Sequence, residues 1–371
     1  MMRVIVVGAG VVGSGLAWRL ASQGQDVVLV ERGQPATGTT GSSFSWYNAN
    51  SKRPEDYFRL NLAGMEAHLE LREQLGEAPW YHEGGNIVWS SGEAWKDSGE
   101  IEENLEVRVA ELQRWDYPAE WIAVSEAEKL EPLVHFGDGV EQVAYFQSEG
   151  WVDGPLFAGS MARLAAEAGA EVRYGSEVVA VEMRDGRVSG VRLANDDVLN
   201  ADLIMNCAGP WADKLAKMAG RELPLAPTVG FITRISGVPE DIIHRVMHAP
   251  RVHMRPDGGG LIALHHGDAD AGITSGDKPW EWAEELVSRF KTYVPEASDA
   301  RVSRWTVAHR PIPVDGRTSA GLLSSIPGYG EIVTHSAITM GALLPKIVAH
   351  EITTGEQDPL LANFRPDRFG G

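Results

Sequence analysis

The run Gly8-Ala9-Gly10-Val11-Val12-Gly13, with Glu31 at the end of the next apolar stretch, has the residue types and spacing to hold a dinucleotide. Gly8 permits a tight turn, Gly10 lets backbone approach a pyrophosphate, and Gly13 lets a helix pack closely on a sheet. Backbone N–H groups where that helix starts, at Val11 and Val12, offer partial positive charge to phosphates. Glu31 can accept both hydroxyls of an adenosine ribose, which selects against a 2′-phosphate. The motif by itself does not decide between NAD and FAD. His265-His266 has the side chains of a metal pair, but neighbours on a strand face opposite ways and no third ligand sits at suitable spacing, so no metal is expected. Cys207 is the single cysteine. It ends an apolar run, where a packed and inert thiol is expected, and an internal disulfide or a thiolate cluster is excluded.

These groups need a strand, a glycine turn, a helix and a second strand to position them. Arg3 to Val7 reads as a buried strand, Val11 to Gln23 as a helix, and Asp26 to Glu31 as a second strand, together a βαβ unit. An amphipathic helix is expected from Pro54 to Leu75, and further helices at Gly154–Ala168 and Trp280–Tyr293. Glu171 to Leu193 alternates as a hairpin or meander with a turn at Asp185-Gly186. Ala201 to Cys207 reads as another buried strand, and Thr228–Ile235 and Val252–Leu264 carry strand patterns. A last strand at Glu331–Thr334 precedes a helix from about Met340 to Thr354. No polar linker or repeat divides the chain, so two domains that interrupt one another are expected.

The 371 residues are 43% apolar and carry a formal charge of −19. That charge argues against nucleic acid or an anionic membrane as the main partner. No run of about 18 or more uninterrupted apolar residues exists to span a membrane. The N-terminal stretch is read as a strand rather than a signal peptide, and cytoplasm is the default location. Oligomer formation is left open.

Beyond Glu31 the chain resembles the D-amino-acid oxidase, glycine oxidase and sarcosine oxidase family of flavoproteins. Four stretches carry the resemblance: Glu31-Arg32 with the small-residue loop Gly38 to Ser43; Gly150 to Ala170; Asn206-Cys207-Ala208-Gly209-Pro210-Trp211; and Arg310-Pro311 through Asp315-Gly316, with Thr334 to Pro345. It covers both ends and the middle, and is weakest at about 85–145 and 225–300. The resemblance implies an α/β fold: a Rossmann-like FAD-binding domain (1–80, 150–222 and 311–371) interleaved with an α+β substrate domain on a mostly antiparallel sheet (81–149 and 223–310). It implies FAD, held by Gly8, Gly10, Val11, Val12, Gly13, Glu31, Arg32, Thr39, Thr40, Ser42 and Ser43. Val178, Val179, Cys207, Ala208, Gly209, Trp211 and Gly316 follow, with Ser336, Ala337, Ile338, Thr339 and Met340 at the flavin. Non-covalent attachment is expected: no cysteine follows Cys207, and no histidine occurs before His68. A helix start near Thr339, with Thr339 as N-cap, would support negative charge on the reduced flavin.

By the same resemblance Arg310 pairs with a substrate carboxylate, a task suited to a planar fork. Where sarcosine oxidases carry a substrate arginine, this chain has Phe44-Ser45-Trp46-Tyr47-Asn48-Ala49-Asn50 and no arginine before Arg53. That departure counts against a sarcosine-like pocket and leaves Tyr47 and Asn50 as candidate lining. His253 and Arg255 fall where the family puts a pocket tyrosine and a polar neighbour. The implied reaction is oxidation of the CH–NH bond of a small amino acid or N-substituted glycine. Hydride passes to flavin N5, the imine product hydrolyses, and O2 takes the electrons to give H2O2. Position and electrostatics carry it without a general base. Aligning Gly260–Leu264 with the strand that bears the oxygen-activating lysine of sarcosine-type oxidases puts Ile262 at that position. No lysine lies between Lys217 and Lys278, so modest oxygen reactivity is expected. The rival readings are a dehydrogenase with a quinone or protein acceptor, one acting on a hydroxy acid or polyol, and a non-catalytic dinucleotide-binding subunit.

Overall fold

Arg3–Val7 (β1) is a run of β-branched residues with both faces covered, the pattern of a central parallel strand. Val4 and Val6 join one apolar core, and Ile5 and Val7 another. The computed structural model describes residues 1–90, 95–97 and 101–370, with 95–97 and 101–103 as backbone only. β1 pairs in parallel with Asp26–Val30 (β2) on one side and Leu203–Asn206 on the other. The sheet extends to six strands, with Glu171–Arg173 beyond β2, and Tyr329–Val333 and Ser319–Leu322 beyond Leu203–Asn206. Only Ser319–Leu322 runs antiparallel to its neighbour. Each of these strands lies within 1–80, 150–222 or 311–371.

Helix Val11–Ser22 (α1) packs on this sheet with Gly154–Glu167 and Leu343–Thr354. Asp153 caps Gly154–Glu167 by accepting the Leu156 N–H at 2.9 Å. Helix Glu55–Leu75 (α2) begins after Pro54 and ends where Gly76 turns left-handed and donates its N–H to Arg72 O. The eight-stranded second sheet runs Arg301–His309, Val229–Ser236, Ile262–His265, His253–Pro256, Val246–His248, Asn86–Val88, Gln142–Phe146, Glu120–Ala123. All its pairs are antiparallel except Val246–His248 with Asn86–Val88. Helix Pro279–Tyr293 closes one face over a core that includes Phe231, Met254, Ile262, Leu264 and Phe290. The turn Thr39–Ser42, which follows β2, meets the second sheet where Thr39 Oγ1 donates to His309 O at 2.8 Å.

Three elements differ from expectation. Glu171–Arg173 joins the parallel sheet beside β2 and is not part of the meander. The hairpin begins at Val178, and Asp185 and Gly186 turn it with φ of 52° and 74°. The C-terminal helix is two pieces, Ala337–Met340 and Leu343–Thr354, offset at Gly341. A Cβ at Gly341 would stand 2.3 Å from Val11 Cγ1, so close packing on α1 sets that step. Among the described residues no helix is long and apolar enough to cross a membrane.

Candidate functional site

The glycine turn is built for close backbone approach. Gly8 has φ +108°, and a Cβ there would lie 2.4 Å from Cys207 O. A Cβ on Gly13 would lie 1.9 Å from Gly8 O, so Gly13 sits beneath the turn and lets α1 seat against it. Thr40 Oγ1 accepts the Val11 N–H at 3.3 Å and bounds the space above Gly10. Glu31 accepts the N–H groups of Ala9 and Gly33, at 2.9 and 2.8 Å, with one oxygen each. Each oxygen keeps a further lone pair for a ribose hydroxyl.

A cleft continues from this turn. Gly8, Gly10, Val11, Val12, Glu31, Arg32, Thr39, Thr40 and Ser43 line it, with Val178, Cys207, Ala208, Gly209, Trp211, Ala337 and Ile338. The Arg32 guanidinium stacks 3.6 Å from the Trp211 ring centroid at one end. Burial pushes the Cys207 thiol up to about 12, so it is a neutral wall group. The sequence reading missed Lys214, which also lines the cleft one helical turn beyond Trp211. A glycine cradle, an acid just after the second strand and an aromatic–guanidinium end suit an adenine dinucleotide. The cleft continues from the glycine turn to Ala337 and Ile338.

Other expected cofactor residues stand outside this lining. Val179 is the unpaired residue of a register shift between Val178 and Ala180 and is exposed. Ser42 closes the short turn Thr39–Ser42, and Gly316 closes another by donating to Pro313 O. Ser336, Thr339 and Met340 lie behind Ala337 and Ile338. Thr339 is not an N-cap. It lies inside Ala337–Met340, and its hydroxyl bridges Asn48 N and Asn48 O at 3.2 Å each. A helix of four residues has almost no macrodipole, because few peptide dipoles align in it. Support for a bound anion there must come from individual N–H groups.

Pro311 lines the cleft, and Arg310 precedes it. The Arg310 guanidinium is already engaged: Nη2 pairs with Asp270 Oδ2. Asp270 also accepts the Phe231 N–H at 2.7 Å and lies 3.1 Å from His265 Nε2. Burial alone would push the Asp270 carboxyl up, but His265 and Arg310 outweigh it and hold the group below its ordinary value. The Arg310 side chain is 20% exposed and so is not sealed within the sheet. Neither His265 nor Asp270 was expected in this role. They are joined by the short path from the strand Ile262–His265 into the helix Gly267–Thr274.

Phe44 sits over this face of the sheet, with ring centroids 5.8–6.4 Å from His265, His248 and His253. Burial and the neighbouring imidazoles, His248 first among them, hold His253 well below the ordinary histidine value. Arg255, by contrast, spends its guanidinium on Phe44 O, Pro256 O and Asp257, and burial lowers it to about 10. It fixes the Phe44 loop. Ile262 was aligned with a position over the flavin, but it packs into the opposite core with Phe290. Alternation on the strand puts Ala263 and His265 on the Phe44 side instead.

Tyr47 is buried, and its hydroxyl donates to Met65 O at 2.6 Å. It lines a second cleft with Tyr81, Tyr145 and Glu149, not the first. Asn50 is buried, and neither its amide nitrogen nor its oxygen meets a protein partner. Glu149, which the sequence reading overlooked, accepts from Trp46 Nε1, Asn86 Nδ2 and Tyr117 OH at 2.8–2.9 Å. Burial pushes its carboxyl up to about 7 against those three donors. Asn86 Oδ1 then lies 2.8 Å from His248 Nδ1, so the carboxylate orients the amide that holds His248. Among the described residues no group of His, Cys, Asp and Glu side chains is placed to hold a metal.

A family model described as FAD dependent oxidoreductase matches residues 3–350. Glycine oxidase of Pseudomonas putida is 27% identical over 335 residues, covering 88% of this chain and 86% of that protein. The anaerobic glycerol-3-phosphate dehydrogenase subunit A1 of Haloferax volcanii is 25% identical and aligns with 83% of this chain, which spans only 54% of that longer protein. The crystal structure of glycine oxidase from Bacillus cereus superimposes with a TM-score of 0.81 at 18% identity, covering 98% of each chain. That likeness establishes a shared fold.

Proposed function

The chain belongs to the FAD dependent oxidoreductase family, and from that premise we propose that it oxidises the CH–NH bond of a small amino acid or an N-substituted glycine. Its cofactor is FAD, held without a covalent link. When bound, FAD supplies the hydride acceptor and passes the electrons on.

One observation carries the reading: Thr39, in the loop at the pyrophosphate end of the cleft, is hydrogen-bonded to His309, next to Arg310. A substrate held by Arg310 is thereby fixed relative to the cofactor cleft by two adjoining loops. Arg310 takes the substrate carboxylate with the edge that Asp270 leaves open, and Asp270, anchored on Phe231 N–H and His265, sets the plane of the fork. His253, kept neutral by burial, forms the wall beside Phe44. Asn50, whose buried amide meets no protein partner, stays a candidate lining residue although it lies outside the lining of both clefts. Tyr47 acts from behind, since its hydroxyl is committed to Met65 O. The imine product then hydrolyses to a keto acid, or to an aldehyde and a shorter amine.

For the acceptor we favour O2, reduced to H2O2 at a modest rate, because no lysine stands on the Phe44 face of the strand Ile262–His265. A dehydrogenase using a quinone or protein acceptor is the second reading, in keeping with the dehydrogenase named among the relatives. The test is anaerobic mixing with D- and L-amino acids and N-alkylglycines while following flavin absorbance. Bleaching by one of these supports the reading, and bleaching only by a hydroxy acid or polyol overturns it. Admitting air then separates the acceptors. Prompt reoxidation with peroxide supports the oxidase, and reoxidation over minutes with little peroxide supports the dehydrogenase.

A further inference from the structure

Tyr57, Asn61, Gly64 and His68 stand three or four residues apart on α2 and form one stripe of that helix. The stripe runs along the back of the turn Ser336–Met340. Tyr57 OH lies 3.0 Å from Ser336 Oγ. Asn61 spends its amide nitrogen on Tyr57 O within the helix. Gly64 lets the backbones touch, since a Cβ there would be 2.8 Å from Thr339 O. His68 Nε2 lies 2.9 Å from Ile338 O. A carbonyl only accepts, so Nε2 carries the proton and donates it.

The His68 ring is buried among Tyr47, Tyr81 and Phe157, and its Nδ1 meets no protein partner. Protonating Nδ1 would leave a charged N–H in apolar surroundings, so the imidazole stays neutral, and burial lowers it to about 4. The front of the same turn, at Ala337 and Ile338, borders the cofactor cleft. In a helix that starts at Ala337, the N–H groups of Ala337, Ile338 and Thr339 have no carbonyl of their own helix to bond. The carbonyl that His68 holds belongs to the peptide whose N–H is Thr339's.

We infer that His68 is a positioning residue for the flavin: by donating Nε2–H to Ile338 O it orients and polarises the Ile338–Thr339 peptide, so that this turn's N–H groups meet the electron-rich edge of the bound cofactor. A hydrogen bond accepted by a carbonyl strengthens the N–H at the other end of the same peptide, because the two polarise in one direction. The inference depends on the cofactor and not on the identity of the amine.

The test compares His68→Gln, which keeps a donor of similar reach, with His68→Met, which fills similar space and has none. Sulfite binding to the FAD-loaded proteins reports negative charge accepted by the flavin, and titration of the apoproteins with FAD reports affinity. We expect His68→Met to weaken sulfite binding about threefold to tenfold, with His68→Gln staying within about twofold of wild type. Loss of FAD by the Met variant alone also supports the role. Equal sulfite affinity in all three proteins overturns it, as does equal impairment of both variants, which would make His68 a packing residue.

Discussion

Arg310 and Asp270 are paired through Nη2 and Oδ2 where the strand Arg301–His309 gives way to the loop beside the cofactor cleft. Asp270 is itself anchored by the Phe231 N–H and His265. On the proposed reading the arginine would meet a ligand already oriented and partly neutralised, and both effects would bear on how strongly it held a carboxylate.

Replacing Arg310 with Lys retains charge and loses the fork. A charged pair truncated in a buried site costs on the order of 2–5 kcal/mol, and neutralisation by Asp270 puts the expectation at the low end. KM for a carboxylate substrate should rise about thirtyfold, about 2 kcal/mol, with FAD occupancy unchanged. A rise of less than about tenfold, near 1.4 kcal/mol, would leave Arg310 as Asp270's structural partner only.

Glu149 titrates near 7 in the fold against an ordinary value of 4.5, because burial disfavours its charge. Between those pH values the folded chain keeps a proton that the unfolded chain has released. This group's contribution to stability therefore falls as pH rises through that window, by about 3 kcal/mol in all. Glu149→Gln resembles the protonated form. Its carbonyl can keep Trp46 and Asn86, which share one oxygen, while its N–H turns to the Tyr117 hydroxyl, an exchange that does not vary with pH. The Tm of the variant minus that of wild type should climb by several degrees from roughly pH 5 to pH 8. A flat difference would mean the carboxyl does not titrate in that range.

Gly64→Ala places a Cβ 2.8 Å from Thr339 O and 3.2 Å from Met340 Cα, both backbone atoms that cannot swing aside. Overpacking of this kind costs about 1–3 kcal/mol. Part of that falls on the turn bordering the cofactor, so the FAD dissociation constant should rise about tenfold as Tm drops. A variant that binds FAD as tightly as wild type would show that the turn shifts without consequence.

Acid precipitation of the holoprotein should leave all the flavin in the supernatant. Cys207 borders the cleft beside the Gly8 turn, and burial keeps it as a thiol. Yellow colour retained by the washed precipitate would reveal a covalent link.

The dinucleotide half of the site was legible because its determinants are local. The turn at Gly8, the helix from Val11 and the acid at Glu31 lie within one βαβ unit, and each follows from backbone geometry or strand period. The sequence by itself also determined the parallel strands at Arg3–Val7 and Leu203–Asn206, whose unbroken apolar runs require cover on both faces.

The substrate half and the flavin-facing turn were decided by the tertiary structure. The partner of Arg310 lies 40 positions away on a helix whose place depends on the sheet beneath it. Thr339 bridges to Asn48 across 291 positions, and His68 to Ile338 across 270. Alignment with the lysine-bearing strand of sarcosine-type oxidases puts Ile262 over the cofactor, whereas the register of its strand turns it into the core behind. Propensity and period act over a few residues, so they specify which elements form and which stripe of each is apolar. Which polar side chain meets which depends on how those elements pack, and a single step of strand register reverses the answer.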